Sequence, residues 1–257
     1  RPLTVSTPAE RCLQRKTYAA SWTTISLLAA PVAAFGCQDI SFEDTSFTVC
    51  QADPAQDDIR LFLNDADGSP LGTFDNVYAK IAPQQLTWAM NGGMYHPDRR
   101  PVGHYVEDGS ETAGLVTREG PGNFGLLPNG VLCLSNGRAI VIESRRFAET
   151  EPACSYATQS GPMLVIDGAL HPRFLPDSDS LNIRNGVGVT EDGQLVAAIS
   201  NQRVNFHRFA RLFRDVLGTP NALFLDGTIS RLYAPGLNRR DIGFPMGPML
   251  GVIAADD

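Results

Sequence analysis

Short apolar or alternating runs recur along the chain after Cys37, and turn-forming residues separate them. Runs of roughly four to eight such residues, bounded by turns, are typical of β-strands. They predict strands at residues 47–50, 59–63, 86–90, 130–134, 139–142, 163–166, 187–189, 195–199 and 222–225. Asn136-Gly137 lies between two of these runs and predicts a tight hairpin. The pattern therefore predicts a sheet-rich fold.

One helix is predicted from the helical spacing of its apolar residues. Asn205 is a typical N-cap, and Gly218 is a typical terminator. The apolar face consists of Phe206, Phe209, Ala210, Phe213, Val216 and Leu217. The opposite face carries Arg208, Arg211 and Arg214, which we expect to form a solvated surface, with His207 packing at its edge.

The order of these elements brings distant polar residues together. A strand–helix–strand crossover within one sheet makes strands 195–199 and 222–225 parallel. Ser200-Asn201 and Asp226-Gly227 then lie at the same sheet edge. The strand at 187–189 runs the opposite way, so that Arg184-Asn185, just before it, reaches that edge too. An arginine, amides and a carboxylate are therefore predicted to converge.

Asp226-Gly227 directly follows the apolar run 222–225 and permits two interpretations. Asp-Gly is an ordinary way to turn out of a strand. Alternatively, the strand positions Asp226 in a functional site. The predicted proximity of Arg184 favours the site.

The segment Met90-Asn-Gly-Gly-Met-Tyr-His-Pro-Asp98 also follows an apolar strand. Gly92 and Gly93 permit positive φ and let backbone N–H groups approach a ligand closely, although an ordinary glycine turn is an equal alternative. Ser160-Gly161-Pro162 repeats the arrangement of a polar tight turn before a strand. The chain contains neither a G-x-S-x-G elbow nor a Walker loop. It therefore lacks the sequence signatures of serine hydrolases and of P-loop nucleotide enzymes.

A polar cluster follows this segment along the chain. His96, His104, Glu107 and Asp108 offer acid–base or metal-ligand chemistry, but their spacing matches no metal template. Glu107-Asp-Gly109 also fits a simple hairpin turn. We retain His104 and Glu107 as candidate acid–base residues.

Composition and charge exclude some classes of partner. The chain has 257 residues, 43% of them hydrophobic, and a net charge of −7. A negative charge disfavours nucleic acid and anionic membrane surfaces, which require basic patches. Residues 1–36 differ, with basic Arg11, Arg15 and Lys16 before a short apolar run, as in an export leader. We therefore expect an export leader at 1–36, one domain at 37–257 and a periplasmic or secreted location.

The cysteines support export. Cys12 would leave with the leader, and four cysteines remain, Cys37, Cys50, Cys133 and Cys154. In an oxidising compartment they predict two disulfides, with three possible connectivities. We favour Cys37–Cys50 and Cys133–Cys154, because both close local loops. A lipid anchor on Cys37 is the alternative, and the absence of CxxC spacing disfavours zinc.

Five segments together resemble the phosphodiester glycosidase, or uncovering-enzyme-like, family. They are Asn91-Gly-Gly-Met94, Pro101-Val-Gly103, Ser160-Gly-Pro162, Arg184-Asn-Gly-Val-Gly188 and Leu225-Asp-Gly227, in family order. The resemblance implies a single α+β domain built on a large mixed, mostly antiparallel twisted sheet flanked by helices. It further implies hydrolysis of sugar-1-phosphodiesters, as in animal members, or a link to envelope exopolysaccharide, as in some exported bacterial members.

Two departures bear on the substrate. The family ending Leu-Asp-Gly-Gly-Gly-Ser appears here as Leu225-Asp-Gly-Thr-Ile-Ser230, and Arg184-Asn185-Gly186 replaces Arg-Thr-Ala of the animal pattern. Thr228 and Ile229 place side chains where glycines would let a ligand approach the backbone.

The chemistry implied by these residues needs no cofactor. Arg184 would grip two phosphate oxygens, and Asp226 would act at the anomeric carbon as nucleophile or base. Glu107 or His104 would be its acid–base partner. The predicted substrate contacts are Asn91, Gly92, Gly93, Ser160, Gly161, Asn185 and Gly227. A non-catalytic protein that binds anionic envelope glycans is the alternative.

Overall fold

The computed structural model describes residues 36–254, which form seventeen β-strands and three α-helices. In chain order the strands are β1 (Cys37–Phe42), β2 (Thr45–Ala52), β3 (Asp58–Phe62), β4 (Leu86–Asn91), β5 (Tyr105–Glu107), β6 (Ser110–Ala113), β7 (Gly130–Ser135), β8 (Arg138–Glu143), β9 (Tyr156–Ser160), β10 (Met163–Ile166), β11 (Ala169–Leu170), β12 (Asn185–Val189), β13 (Leu195–Ser200), β14 (Asn221–Asp226), β15 (Leu232–Ala234), β16 (Arg239–Arg240) and β17 (Met249–Ile253). The helices are α1 (Phe74–Ile81), α2 (Ser144–Thr150) and α3 (Phe206–Arg211). The leader predicted at residues 1–36 lies, but for its last residue, outside the described part.

The strands are divided among three sheets. The first has the order β1-β2-β13-β12-β14-β10-β11, the second β16-β15-β4-β17-β3, and the third β6-β5-β9-β7-β8. Neighbouring strands in all three are antiparallel. The prediction of a mostly antiparallel α+β domain is confirmed, with three sheets in place of one.

The main core lies between the sheets and follows from strand alternation. Along β13, Leu195, Ala197 and Ile199 point into a central cluster to which all three sheets contribute. Val196 and Ala198 point to the other face, where they pack under α3. A strand that is buried on both faces has a nearly continuous apolar sequence. The apolar run of β13 therefore predicts the strand.

The helix α3 begins where its sequence predicts. Asn205 Oδ1 accepts a hydrogen bond from the Arg208 N–H at 2.9 Å. After Arg211 the chain continues as a π-helical turn, Leu212–Val216, and Gly218 has a φ of +63°. The wider turn changes the phase of the later residues. Val216, predicted on the buried face, is therefore 48% exposed.

The sequence pattern did not predict α1 and α2. They have eight and seven residues, too short for apolar spacing to repeat clearly. Thr73 caps α1 by accepting the Asn76 N–H at 3.2 Å. None of the helices within residues 36–254 has the length and apolar character needed to cross a bilayer.

Both predicted disulfides are present. Cys37 is bonded to Cys50, and Cys133 to Cys154. The first joins β1 to β2 at a directly paired position, and the second ties β7 to the segment before β9. Two disulfides in a chain of this kind indicate an oxidising, extracytoplasmic compartment. The sulphur of Cys37, where a lipid would be attached, is used in the disulfide.

Candidate active site

Three separated segments meet at one edge of the first sheet. β12 lies between β13 and β14 and is antiparallel to both, so that β13 and β14 are parallel to each other. Asn185, at the start of β12, pairs with Ile199 on one side and with Asp226 on the other. This is the juxtaposition predicted from the strand–helix–strand order.

Two buried asparagines join this edge to the second sheet. Asn91 Nδ2 donates to Asn185 Oδ1 at 3.0 Å, and Asn185 Nδ2 donates to the Asn91 carbonyl at 2.9 Å. Asn185 Oδ1 also accepts the Asp226 N–H at 3.0 Å, while Asn91 Oδ1 accepts the Arg231 N–H at 2.9 Å. Since both side chains are fully buried, these bonds fix where β4, β12 and β14 meet.

The Asp226 carboxylate is held by its own chain. Oδ1 accepts the N–H groups of Thr228 at 2.6 Å and Ile229 at 3.2 Å, which is an Asx-type turn. Both of these bonds end on Oδ1, and the Gly227 N–H also acts on the carboxylate. Asp226 is 9% exposed, and within residues 36–254 it forms no salt bridge. Burial raises its pKa, although the backbone N–H bonds act in the opposite direction.

Because the pKa of Asp226 is raised, the stability of the fold should depend on pH. A carboxyl whose pKa is higher in the folded than in the unfolded chain destabilises the fold once it ionises. Relative to Asp226→Asn, the unmodified protein should therefore lose unfolding free energy as the pH rises above about 4, the usual value for aspartate. Urea unfolding of both proteins across a pH series measures this. A difference that is constant with pH, or that favours the unmodified protein at higher pH, would contradict it.

Arg184 lies beside this edge but is bonded to the protein. Its Nε donates to the Val204 carbonyl at 2.9 Å, and its Nη2 donates to the Ser180 carbonyl at 2.8 Å. The guanidinium stacks on the Phe206 ring, 3.6 Å from the centroid. The Nε–Nη2 fork is thus occupied, and the expected two-point grip on a phosphate through it is not available.

One nitrogen of Arg184 remains without a partner. Nη1 is buried and has no hydrogen-bond acceptor among residues 36–254. Burial lowers the pKa of Arg184 to about 10, so the group stays charged at neutral pH. A Cβ placed on Gly227 would lie 3.5 Å from Nη1 and 3.0 Å from Phe224 Cζ. The glycine therefore lets the chain after Asp226 pass close over the guanidinium.

Ser160 and Gly161 lie next to the site and serve its framework. Ser160 is fully buried, and its Oγ donates to the Leu225 carbonyl at 3.0 Å, one residue before Asp226. A Cβ on Gly161 would lie 2.6 Å from Asn129 Cβ. Both residues therefore position β9 against the end of β14 and the neighbouring loop.

The backbone at Gly92 and Gly93 differs from the predicted ligand-binding turn. Neither has a positive φ. The Gly92 N–H donates to the Pro248 carbonyl at 2.7 Å, so it is not free for a ligand. A Cβ on Gly92 would lie 2.9 Å from the Leu250 nitrogen, and one on Gly93 would lie 2.7 Å from Thr158 Oγ1. At both glycines, other segments of the protein occupy the space that a side chain would take.

Gly92→Ala should therefore be destabilising. The new methyl group meets the backbone of β17, which can move only by disturbing the β4–β17 pairing. We expect a loss of about 1–3 kcal/mol in unfolding free energy, typical of overpacking. Gly236→Ala is the matched control, because nothing lies within 4 Å of its Cβ position. Equal stability of the two variants in urea unfolding would refute the packing role.

Glu107 and His104 are not brought to Asp226. Glu107 Oε2 accepts the Leu63 N–H and the Tyr105 hydroxyl, both at 3.0 Å, and Lys80 lies 3.4 Å from Oε1. These bonds join β5 to the end of β3 and to α1. His104 lines a different cleft, against Phe147 of α2. The prediction that either residue is the acid–base partner of Asp226 has no support in this geometry.

Tyr95, which the sequence pattern does not single out, lies within electrostatic reach of Asp226 and of two arginines, Arg99 and Arg231. The pKa of Tyr95 is raised, first by burial and then by the charge of Asp226, while Arg99 and Arg231 oppose the rise. The Arg99 guanidinium carbon lies 5.3 Å from the Tyr95 ring centroid. Tyr95 and Arg99 follow the glycine pair closely, but a loop pattern gives no side-chain direction. Within residues 36–254, no three His, Cys, Asp or Glu side chains group as a metal site.

Comparison with known proteins identifies relatives at the sequence level. The profile of the phosphodiester glycosidase family matches residues 84–253. The chain is 34% identical over 215 residues to the Escherichia coli protein described as uncharacterized protein YigE, which covers 82% of this chain and 84% of that protein.

Solved structures are similar in fold at low identity. The zebrafish N-acetylglucosamine-1-phosphodiester alpha-N-acetylglucosaminidase catalytic domain, auto-inhibited by its pro-peptide, has a TM-score of 0.58 at 14% identity, covering 85% of this chain and 82% of that one. A putative exported protein from Burkholderia pseudomallei has a TM-score of 0.54 at 13% identity, covering 81% and 74%. At these identities the similarity shows the fold alone.

Proposed function

Because this chain belongs to the phosphodiester glycosidase family, we propose that it is an exported hydrolase of phosphate-linked sugars, with Asp226 as the catalytic carboxylate. A sugar-1-phosphodiester of the cell envelope, or a related exopolysaccharide, is the proposed substrate class. The proposed mature domain is residues 37–257, after an export leader at 1–36.

The reaction needs little help with its leaving group. Hydrolysis breaks the bond between the anomeric carbon and the phosphate oxygen; water gives its hydroxyl to the sugar, and its proton goes to the phosphate. The phosphate monoester is already a good leaving group. The transition state resembles an oxocarbenium ion, which a nearby carboxylate stabilises as nucleophile or as base toward water. The carboxylate of Asp226 suits this role.

The observation that carries the proposal is the buried carboxylate of Asp226, which forms no salt bridge within residues 36–254. A turn residue usually keeps its charge in water or in a salt bridge. Asp226 instead lies at the meeting point of three strands, fixed by Asn185, with a raised pKa. Charge kept at such a cost is typical of functional sites.

Two arginines that act on Tyr95 suit a phosphate group. Arg99 and Arg231 both act on Tyr95, which is itself within reach of the Asp226 charge. Arg231 is 9% exposed, with its Nη1 bonded to the Phe244 carbonyl. We assign phosphate recognition chiefly to these two arginines, and Arg184 Nη1 adds a buried positive charge beneath Gly227. Tyr95 is then the candidate proton donor or positioning group.

A second candidate function is glycan binding without cleavage. Thr228 and Ile229 stand where the family pattern has glycines, and their N–H groups are both used by Asp226 Oδ1. Ile229 packs against the cluster around Phe74 and Met249. A ligand therefore cannot approach this backbone as it would approach glycines, which favours a different substrate or none.

Hydrolysis of a panel of sugar-1-phosphodiesters tests the proposal. The measurement is release of the free reducing sugar and of the phosphate monoester by the purified, disulfide-bonded protein. Turnover of any member supports the enzyme. Saturable binding of the same compounds without turnover would instead support the binding function.

A further inference from the structure

A cleft lies on the face of the third sheet that is turned away from the central core. Along β5, Tyr105 points into the central core, whereas Val106 packs with Phe147 on the opposite face. The cleft on that face has a volume of about 500 Å³, within the size range of small-molecule sites. The lining residues that matter here are His104, Glu111, Leu115, Phe147, Glu151 and Pro152.

His104 is a buried polar group without a partner in this cleft. It is 6% exposed, and its Nδ1 has no hydrogen bond among residues 36–254. Its backbone is fixed, because its N–H donates to Gln159 Oε1 at 3.0 Å and its carbonyl accepts the Gln159 N–H at 2.8 Å. The ring packs on Phe147 with centroids 5.1 Å apart. Buried polar atoms without partners are rare and call for an explanation.

The Glu111 carboxylate lies close to Nδ1 but is not bonded to it. Its Oε2 lies 3.8 Å from Nδ1, too far for a hydrogen bond. A single donor atom placed about 2.8 Å from both would bond to each. Burial lowers the pKa of His104, although Glu111 and the Ala113 backbone oppose this. A neutral ring that carries its proton on Nε2 offers Nδ1 as an acceptor.

The negative charge of the cleft favours a positively charged hydrogen-bond donor on the ligand. Glu111 and Glu151 line it, and no lysine or arginine within the described part of the chain does so. Anions are therefore disfavoured. Phe147, Leu115 and Pro152 supply an apolar wall, and the Cys133–Cys154 disulfide fixes the neighbouring segment.

We propose that this cleft binds a small organic amine of about monosaccharide size. Its ammonium group lies between His104 Nδ1 and the Glu111 carboxylate, and its carbon skeleton packs against Phe147 and Leu115. The site does not include Asp226, and this proposal does not depend on the proposed hydrolysis.

Glucosamine is the probe, and a ¹⁵N-labelled NMR titration of the protein near neutral pH is the measurement. We expect saturable shifts of amides in residues 104–115 and 147–154. Glu111 is exposed, so Glu111→Gln should fold normally, and it should weaken glucosamine binding about tenfold or more, since it removes a charge-assisted bond. N-acetylglucosamine, which has the same ring without the ammonium, should not shift these amides.

Asp226→Asn separates this site from the catalytic one and should leave glucosamine binding unchanged. The proposal is overturned if the cleft amides do not shift or if Glu111→Gln binds glucosamine as tightly as the unmodified protein. It is equally overturned if the shifts centre on Asn91, Asn185 and Asp226 and disappear in Asp226→Asn. Hydrolysis of phosphodiesters by Glu111→Gln at the normal rate is compatible with the proposal, because the two sites are distinct.

Discussion

Asp226→Asn should abolish most hydrolysis while the protein stays folded. Asparagine keeps the Oδ1 atom that accepts the Thr228 and Ile229 N–H groups, so the turn after β14 survives. It removes the negative charge that would stabilise the oxocarbenium-like centre or activate water. We expect a fall in kcat of roughly 10²–10⁴-fold, typical of losing a general base, and a larger one if Asp226 is the nucleophile. Turnover of the best phosphodiester and a thermal melt of each protein measure the two effects.

Asp167→Asn is the matched control. Asp167-Gly168 also follows an apolar strand, β10, but its side chain is exposed and pairs with Arg146. Because Asp167 is a turn residue, its substitution should leave kcat unchanged. If Asp226→Asn retains full turnover, or unfolds where Asp167→Asn does not, then Asp226 is also a structural turn residue and the proposed chemistry is wrong.

Arg184→Ala should destabilise the protein more than Gly92→Ala or Arg208→Ala. It leaves a cavity between Phe206 and Phe224 and removes the Arg184 donor from the Ser180 and Val204 carbonyls, although the Val204 carbonyl keeps the Asn182 N–H. A large-to-small change that also removes buried hydrogen bonds costs about 3 kcal/mol or more. Urea unfolding measures the loss. A folded Arg184→Lys variant tests the charge separately, and it should retain part of the stability, since an ammonium cannot replace the stacked, planar fork.

Arg208→Ala is the control for Arg184. Arg208 lies on the exposed side of α3, where it pairs with Glu43, and an exposed pair contributes about 0–1 kcal/mol. The two arginines are thus expected to differ by at least about 2 kcal/mol. Similar stabilities of Arg184→Ala and Arg208→Ala would show that the buried guanidinium is not part of the framework of the site.

Much of the site's architecture could be predicted because it depends on local patterns and on chain direction. The run Leu195–Ser200 is apolar throughout, and Asn205 and Gly218 bracket the helix that follows. Once a right-handed crossover is assumed, strand direction alone places Arg184, Asn185 and Asp226 at one edge. The short loops between the cysteines likewise favoured the two disulfides that are present.

The roles of individual side chains could not be predicted in the same way. A sequence places Gly92 after a strand, but only the structure shows that β17 passes against it. Arg184 was expected to face a ligand, and its fork instead bonds to Val204 and Ser180. These contacts join residues that are distant in sequence or lie in loops, where no periodicity gives a direction.

The sequence by itself therefore predicted nine of the seventeen strands, the start of the capped helix and the edge at which Asp226 lies, and it favoured the disulfide pairing that is present, because each follows from short-range spacing or strand direction. Only the tertiary structure decided that three sheets share the core and that Asn91 joins Asn185. It also decided that Glu107 bonds to the backbone of Leu63 and that His104 lines a cleft to which Asp226 does not contribute. Which face of a sheet meets which neighbour depends on packing between distant segments, and a linear pattern does not contain that information.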